Sequence, residues 1–374
     1  MTTDNPMTRL SNFEWLKIIA MFMVVFLHGW FYVFTPSPVS TSSPASLLNY
    51  LLFQPSLIIA HNGVPLFVMT TGFFAYEKGW HLNLKRIGHI WLYALSYGII
   101  FYFLLSPKEA GLRHSYKDIL PLTGSPYWFI SRYLALSLLA PFLSLLTRVL
   151  SRRQFALLLI LSVLFGMTFL KGFPFGNTLG AEFGLSLGFF MCLFLFGAYV
   201  RKYDIGLHAK KTVTLLVASI ILCGLFYALR DYHTSGRISI HYPEYNDPSV
   251  FTGCILFLAF KNWKPKENRL TNVFIKTVPY SLGVYLIHEN VFVRPLLWDH
   301  VKTIFPQMDV NCCYSFFLSL GIDLCIFTVC IGMDFLIKLL FGICRIERCF
   351  DMILDHLALA FKRALDNRLV LNEP

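Results

Sequence analysis

Charge is what this 374-residue chain has least of. Asp, Glu, Lys and Arg make up 14% of it, where a soluble domain carries about a quarter. That shortage excludes a globule able to clothe itself in polar surface. Nine cysteines are present, but none falls into a CxxC pair or a CxxC…HxxxH spacing, and vicinal Cys312-Cys313 sits in a short loop. Neither a zinc site nor a disulfide framework is indicated. The chain has no Gly-rich phosphate loop, no dinucleotide fingerprint and no serine nucleophile elbow. No small-residue cleavage site follows the first apolar run, so that run is expected to be retained. No internal repeat and no appended water-soluble domain is visible.

What fills the space is apolar: 56% hydrophobic residues, 17% aromatic, and a mean hydropathy of +0.59. Windows of about 20 apolar residues predict an all-α polytopic membrane protein of ten transmembrane helices. They lie near 13–35, 55–76, 87–106, 127–147, 154–170, 183–200, 212–229, 248–260, 277–298 and 314–337. The second is interrupted by Pro65 and glycines, and the eighth is short. The loop 36–44 is rich in Pro and Ser and carries no charge. The net charge of +11 does not point to nucleic acid, because the basic residues are spread between apolar spans. The N-terminus, loops 77–86, 148–153, 201–211 and 261–276, and the tail from Lys338 hold 22 Lys and Arg; the alternate loops hold 8. The positive-inside rule then makes both termini cytoplasmic. Residues 1–345 read as one membrane-embedded domain and 346–374 as a basic cytoplasmic tail, able to lie on the membrane as an amphipathic helix.

The first span, 12–34, carries Glu14, Lys17 and His28. Ionisable side chains inside a span are costly and usually face a protein interior or a wet cavity. Lys17 and His28 are eleven residues apart, about 20° past three full turns with a rise of about 16 Å. One face therefore holds both, Lys17 toward the cytoplasm and His28 toward the outer half of the membrane. Glu14 and Lys17, three apart, can pair locally. Asp323 and Asp334 on the last span are also eleven apart on one face, placed to balance basic groups in a pore. Arg132, inside a span, needs a buried partner, for which Glu182, Glu289 and Asp323 are candidates. His61 reads as a packing or pore-lining residue.

The order Glu14-Trp15-Leu16-Lys17, ten apolar residues, His28 resembles the acyltransferase 3 family, integral-membrane O-acyltransferases of bacterial envelope glycans. Lysine stands where arginine is commoner. Four further stretches follow in the family's order. Val64-Pro65-Leu66-Phe67 to Gly72-Phe73 has Thr71 in place of the usual serine. Lys85-Arg86-Ile87-Gly88-His89 matches a pair of arginines three apart, with His89 at the second. Tyr127-Trp128-Phe129-Ile130 leads to Leu139-Ala140-Pro141. Ser281-Leu282-Gly283-Val284-Tyr285-Leu286-Ile287-His288 is nearly complete, and Phe194 to Gly197 resembles a span-ending element of the family.

The resemblance implies transfer of an acyl group, most simply acetyl from cytoplasmic acetyl-CoA as co-substrate, to a hydroxyl of an envelope polysaccharide or lipid-linked glycan. It implies His28 as general base, since imidazole titrates near neutrality, with Lys17 and Glu14 as further catalytic residues. An acyl-imidazole is the alternative. Lys17, Arg86 and Lys85 would hold the donor's phosphates; Tyr285, His288 and Trp128 would meet the acceptor, with Tyr285 and His288 reading also as supports for His28 or as a hydrogen bond between helices, and Trp128 equally as part of an aromatic belt. No metal is expected. The setting would be the inner membrane, with the bilayer and the glycan as partners, and a homo-oligomer left open. Two rival readings remain at this point: a glycan transporter or flippase, which polar groups in broken spans would also suit, and a glycan polymerase, disfavoured by short outward loops poor in arginine.

Overall fold

The computed structural model describes residues 11–34, 39, 43–105, 120, 127–166, 186–244, 247–266, 268–305, 314–356 and 359. Outside them lie the first ten residues, most of the Pro/Ser loop 36–44, most of loop 107–126, Glu182, Cys312-Cys313 and the end of the tail. Every regular element among the described residues is helical. They are α1 (Ser11–Val33), α2 (Pro44–Ala60), α3 (Gly63–Lys78), α4 (Leu84–Leu105), α5 (Trp128–Val149), α6 (Arg152–Gly166), α7 (Leu187–Lys202), α8 (Ala209–Ser235), α9 (Ser249–Asn262), α10 (Arg269–Thr277), α11 (Ser281–His288), α12 (Val293–Ile304) and α13 (Ser315–Ile343), with a 3-10 turn at Val278–Tyr280. A further helix, α14, spans 346–356.

α1 is the hub. It packs against α2, α3, α9, α10, α11, α12 and α13. About two thirds of its apolar window is inside the fold, against 17% for α8 and 28% for α13, which turn most of their apolar surface outward. Among the described residues, six helical segments are long and apolar enough to cross a membrane: 11–33, 44–78, 84–105, 128–149, 209–235 and 315–343. The other four expected spans coincide with shorter or broken helices. α6, α7 and α9 are 15, 16 and 14 residues long, and 277–298 is divided among the 3-10 turn, α11 and α12.

Local chemistry explains the boundaries. Ser43 caps α2 by accepting from Ser46 N, Asn83 caps α4 by accepting from Arg86 N, and Ser186 caps α7 by accepting from Phe189 N, each satisfying a first-turn amide. The second expected span breaks at His61-Asn62, not at Pro65. Pro65 falls in the first turn of α3, where a missing N–H leaves nothing unbonded. The break is held by the Asn62 amide, which donates to Ile58 O at 2.9 Å and to Ser249 O of α9 at 3.0 Å. α3 and α7 cross backbone to backbone: a Cβ on Gly72 would meet the Phe194 backbone, and one on Gly197 would meet the Met69 carbonyl. Small residues of this kind are what let membrane helices approach closely.

α14 does not lie alone as a surface helix. Its acids at 347, 351 and 355 face residues 93, 89 and 85 of α4. Tyr93 OH donates to Glu347, His89 Nε2 lies 2.8 Å from Asp351 Oδ1, and Lys85 Nζ lies 2.9 Å from Asp355 Oδ2. Four-residue steps on two antiparallel helices keep all three pairs in register, and Phe350 and Leu354 close against Gly88.

Candidate active site

At its Glu14 end, α1 forms the pair expected of it: Lys17 Nζ is 2.7 Å from Glu14 Oε1. Both line a cavity of about 870 Å³ between α1, α3, α4 and α5, together with Lys78, Arg86 and Arg201. Lys17 and Arg201 are neutralised by Glu14 and Glu77. Lys78 and Arg86 have no carboxylate partner among the described residues, so the mouth keeps an excess of positive charge. One wall carries Thr71 and Tyr133. Thr71 Oγ1 donates to Phe67 O at 3.0 Å, so at the 3.0 Å contact between the hydroxyls Tyr133 is the donor. The Tyr133 oxygen keeps lone pairs for a ligand N–H.

The outer part of the site is a histidine pair. His28 Nδ1 of α1 is 3.0 Å from His288 Nε2 of α11, and 3.3 Å from Glu289 Oε1. Hydrogen-bond logic fixes both tautomers. His288 Nδ1 lies 2.6 Å from Val284 O; a carbonyl only accepts, so that nitrogen carries the proton and Nε2 of the neutral ring is an acceptor. His28 Nδ1 must then be the donor, and the lone pair of His28 stands on Nε2. Glu289 sits where it favours a positive charge on that ring. These three residues, with ligand atoms within 4.8 Å of one another, are also the described group able to hold a cation. A cation would need the His288 lone pair that the His28 N–H already occupies.

Around the pair, Tyr32 OH donates to Glu289 Oε2 at 3.3 Å, Arg294 Nη1 is 3.7 Å from the same oxygen, and the Arg294 guanidinium lies over the Tyr32 ring. The end of α11 is locked by Tyr127, whose OH donates to Leu286 O at 2.8 Å and accepts from Asn290 Nδ2 at 2.7 Å. Phe129 lines the cavity and packs edge-on against Tyr285, which in turn meets His288. An aromatic wall thus runs from cavity to histidine pair. Along α1 the lining ends at Met21, seven residues or about 10 Å short of His28.

The structure therefore brings Glu14, Lys17 and Arg86 around one cavity and His28, His288 and Tyr285 around another point. It leaves Lys85 paired with Asp355 of α14, away from the cavity lining. Trp128 is in neither group; it packs on Phe129 and Phe190, with Arg132 over its indole and donating to its carbonyl. Of the groups considered for Arg132, Glu289 serves the histidine pair and Asp323 is bonded by Ser319. Sequence reasoning missed Lys78, Tyr133, Glu289 as a site residue, Tyr32 and Arg294. Tyr32 had a signal, since it follows His28 by four positions on the same helical face.

A family model described as an acyltransferase domain matches residues 10–333, covering both groups of residues. The chain belongs to the acyltransferase 3 family. Neither a curated protein nor a solved structure matches it. Membership supports a multi-pass membrane acyltransferase, and the matched range holds every helix from α1 through most of α13. Within the matched range Gly72, Gly197 and Gly283 are contact points between helices.

Proposed function

We propose that the protein transfers an acyl group, acetyl in the simplest case, from cytoplasmic acyl-CoA to a hydroxyl of an envelope polysaccharide or glycolipid. The observation that carries this reading is the chain of contacts from Val284 O through His288 to His28 Nδ1, from which the Nε2 lone pair of His28 follows as the one left available. That is the arrangement a general base needs. His28 Nε2 takes the proton of the acceptor hydroxyl as its oxygen attacks the thioester carbonyl. The carbon–sulfur bond then breaks, and the imidazolium returns the proton to the leaving thiolate. Glu289 stabilises the imidazolium in between, as the acid of a hydrolase triad does.

The donor's phosphates would rest at the basic mouth on Arg86 and Lys78, with Lys17 further in. Its extended arm would follow the Phe129–Tyr285 wall, over a span of the same order as the rise of about 16 Å from Lys17 to His28. Tyr285 would line the path of that arm, and His288, with both ring nitrogens engaged, would hold His28 rather than meet the acceptor. This orientation puts the mouth and both termini in the cytoplasm and the chain in the inner membrane.

The test is transfer of radiolabelled acetyl from acetyl-CoA to endogenous glycan in membranes, at matched expression of wild type, His28→Ala and Lys17→Ala. Label is expected with wild type alone, and at least a hundredfold loss in His28→Ala. Unlabelled glycan in every sample, with folded protein and supplied acceptor, would favour transport. Equal label from wild type and His28→Ala would remove the general base.

A further inference from the structure

The last long helix carries two aspartates that the mechanism does not use. Asp323 and Asp334 are both buried, at 1% and 0% exposure, on one face of α13. Neither balances a basic group of the cavity. Asp323 accepts from Ser319 Oγ at 3.2 Å. Asp334 accepts from Tyr97 OH of α4 and is 2.9 Å from Lys338 Nζ, which also donates to Pro279 O at the turn before α11.

What the two share is the surface they press on. A Cβ on Gly29 of α1 would fall on the carboxylate of Asp323, and a Cβ on Gly283 of α11 would fall on the carboxylate of Asp334. Gly29 adjoins His28, and Gly283 precedes His288 on the same short helix. Each glycine therefore leaves the space that one carboxylate fills. Eleven residues of α13 set the two seats about 16 Å apart along a straight rod. A buried carboxylate is costly unless it is hydrogen-bonded, and close glycine Cα–H contacts add a little to each seat.

We infer that Asp323 and Asp334 are positioning residues: α13 seats the glycines of both histidine-bearing helices and so sets His28 against His288. The inference rests on the proposed role of His28. It also assigns Gly29 and Gly283 a reason to lack a side chain, and gives the Asp334–Lys338 pair the task of pinning the helix break at Pro279.

The experiment measures kcat, KM for acyl-CoA and the pH profile of kcat, with inserted protein and thermal stability as controls. The variants are Gly29→Ala, Asp323→Ser and Gly29→Ala/Asp323→Ser, with Gly283→Ala and Asp334→Ser as the second set. Gly29→Ala is expected to lower kcat about tenfold or more at unchanged KM, since small misplacements of reacting groups are that costly, and to move the acid limb of the profile. The double variant, whose shorter side chain frees the space, should recover most of that loss and the original profile. Wild-type kcat and profile in Gly29→Ala, or no recovery in the inserted double variant, would overturn the inference. Where Gly29→Ala fails to insert, Asp323→Asn replaces it: shape is kept, so kcat within about twofold of wild type is expected, with loss only in Asp323→Ala. Equal loss in both would assign Asp323 a charge role and overturn the packing argument. A wild type without transfer activity would sink the functional reading itself.

Discussion

His241, in the segment joining α8 to α9, titrates as a buried group. Burial, and then the Arg230 guanidinium, push its imidazole down from 6.5 to about 4. The ring stacks on Tyr227 at 4.6 Å and meets Arg230 Nη2, while Gln54 brackets its backbone from α2. The fold thus binds fewer protons here than the unfolded chain. Stability from this group is complete above pH 6.5, is lost as pH falls from 6.5 toward 4, and is level below that. Asp231, 3.7 Å from the ring, opposes the shift without reversing it. Thermal unfolding of the solubilised protein between pH 7 and pH 4 should show that loss, and His241→Gln should flatten it. At this same scale the sequence was readable only where partners are local. Lys17, Glu14 and His28 share one straight helix, so their common face followed from spacing. His28 and His288 are 260 residues apart, and nothing in either neighbourhood announces that one ring donates to the other. Glu289 stood next to His288 all along, yet only the contact with His28 shows what it serves.

Among the elements, the α4–α14 contact separates what pattern reveals from what it hides. The alternation of apolar and charged residues in the tail reads as an amphipathic helix for the membrane surface; 346–356 is a helix, and its acids share one face. Its destination was a matter of tertiary packing, and the structure sends it to α4. Single exposed ion pairs contribute little; two in register with the Tyr93–Glu347 hydrogen bond, and with Phe350 and Leu354 against Gly88, act together. Glu347→Lys, Asp351→Lys and Asp355→Lys combined should free α14, seen as rapid proteolysis within 346–356 in inside-out vesicles. Adding Lys85→Glu and His89→Glu should restore protection. Protection unchanged in the triple variant would mean the apolar contacts alone hold the helix. The broken spans have a related lesson. Pro65 looked like the interruption because proline breaks helices, but a first-turn proline interrupts nothing; the buried Asn62 amide marks the true break.

Across the whole molecule, composition alone established the membrane class and an all-helical fold, because an apolar chain this long has few other solutions. Among the described residues six segments meet the length and hydropathy of a span. The remaining four expected spans fall on shorter or divided helices, which hydropathy windows smooth over. The orientation drawn from basic loops has a direct test. In intact cells, single cysteines at His81 and Lys264 should resist an impermeant thiol reagent, and one at His300 should react. Labelling of the first two would invert the topology.

The α4–α14 register also has a bearing on the order in which the protein is made. The partners of Tyr93, His89 and Lys85 lie 254, 262 and 270 residues downstream. At ribosomal rates of about 5–20 residues per second, α4 waits about 15–50 s for them. Through that interval Lys85 and His89 stand uncovered at the membrane edge, and the bundle is assembled while its fourth helix is still open on one side. α14 is therefore the last of the described helices to be made, and the edge of α4 is closed only once it has emerged.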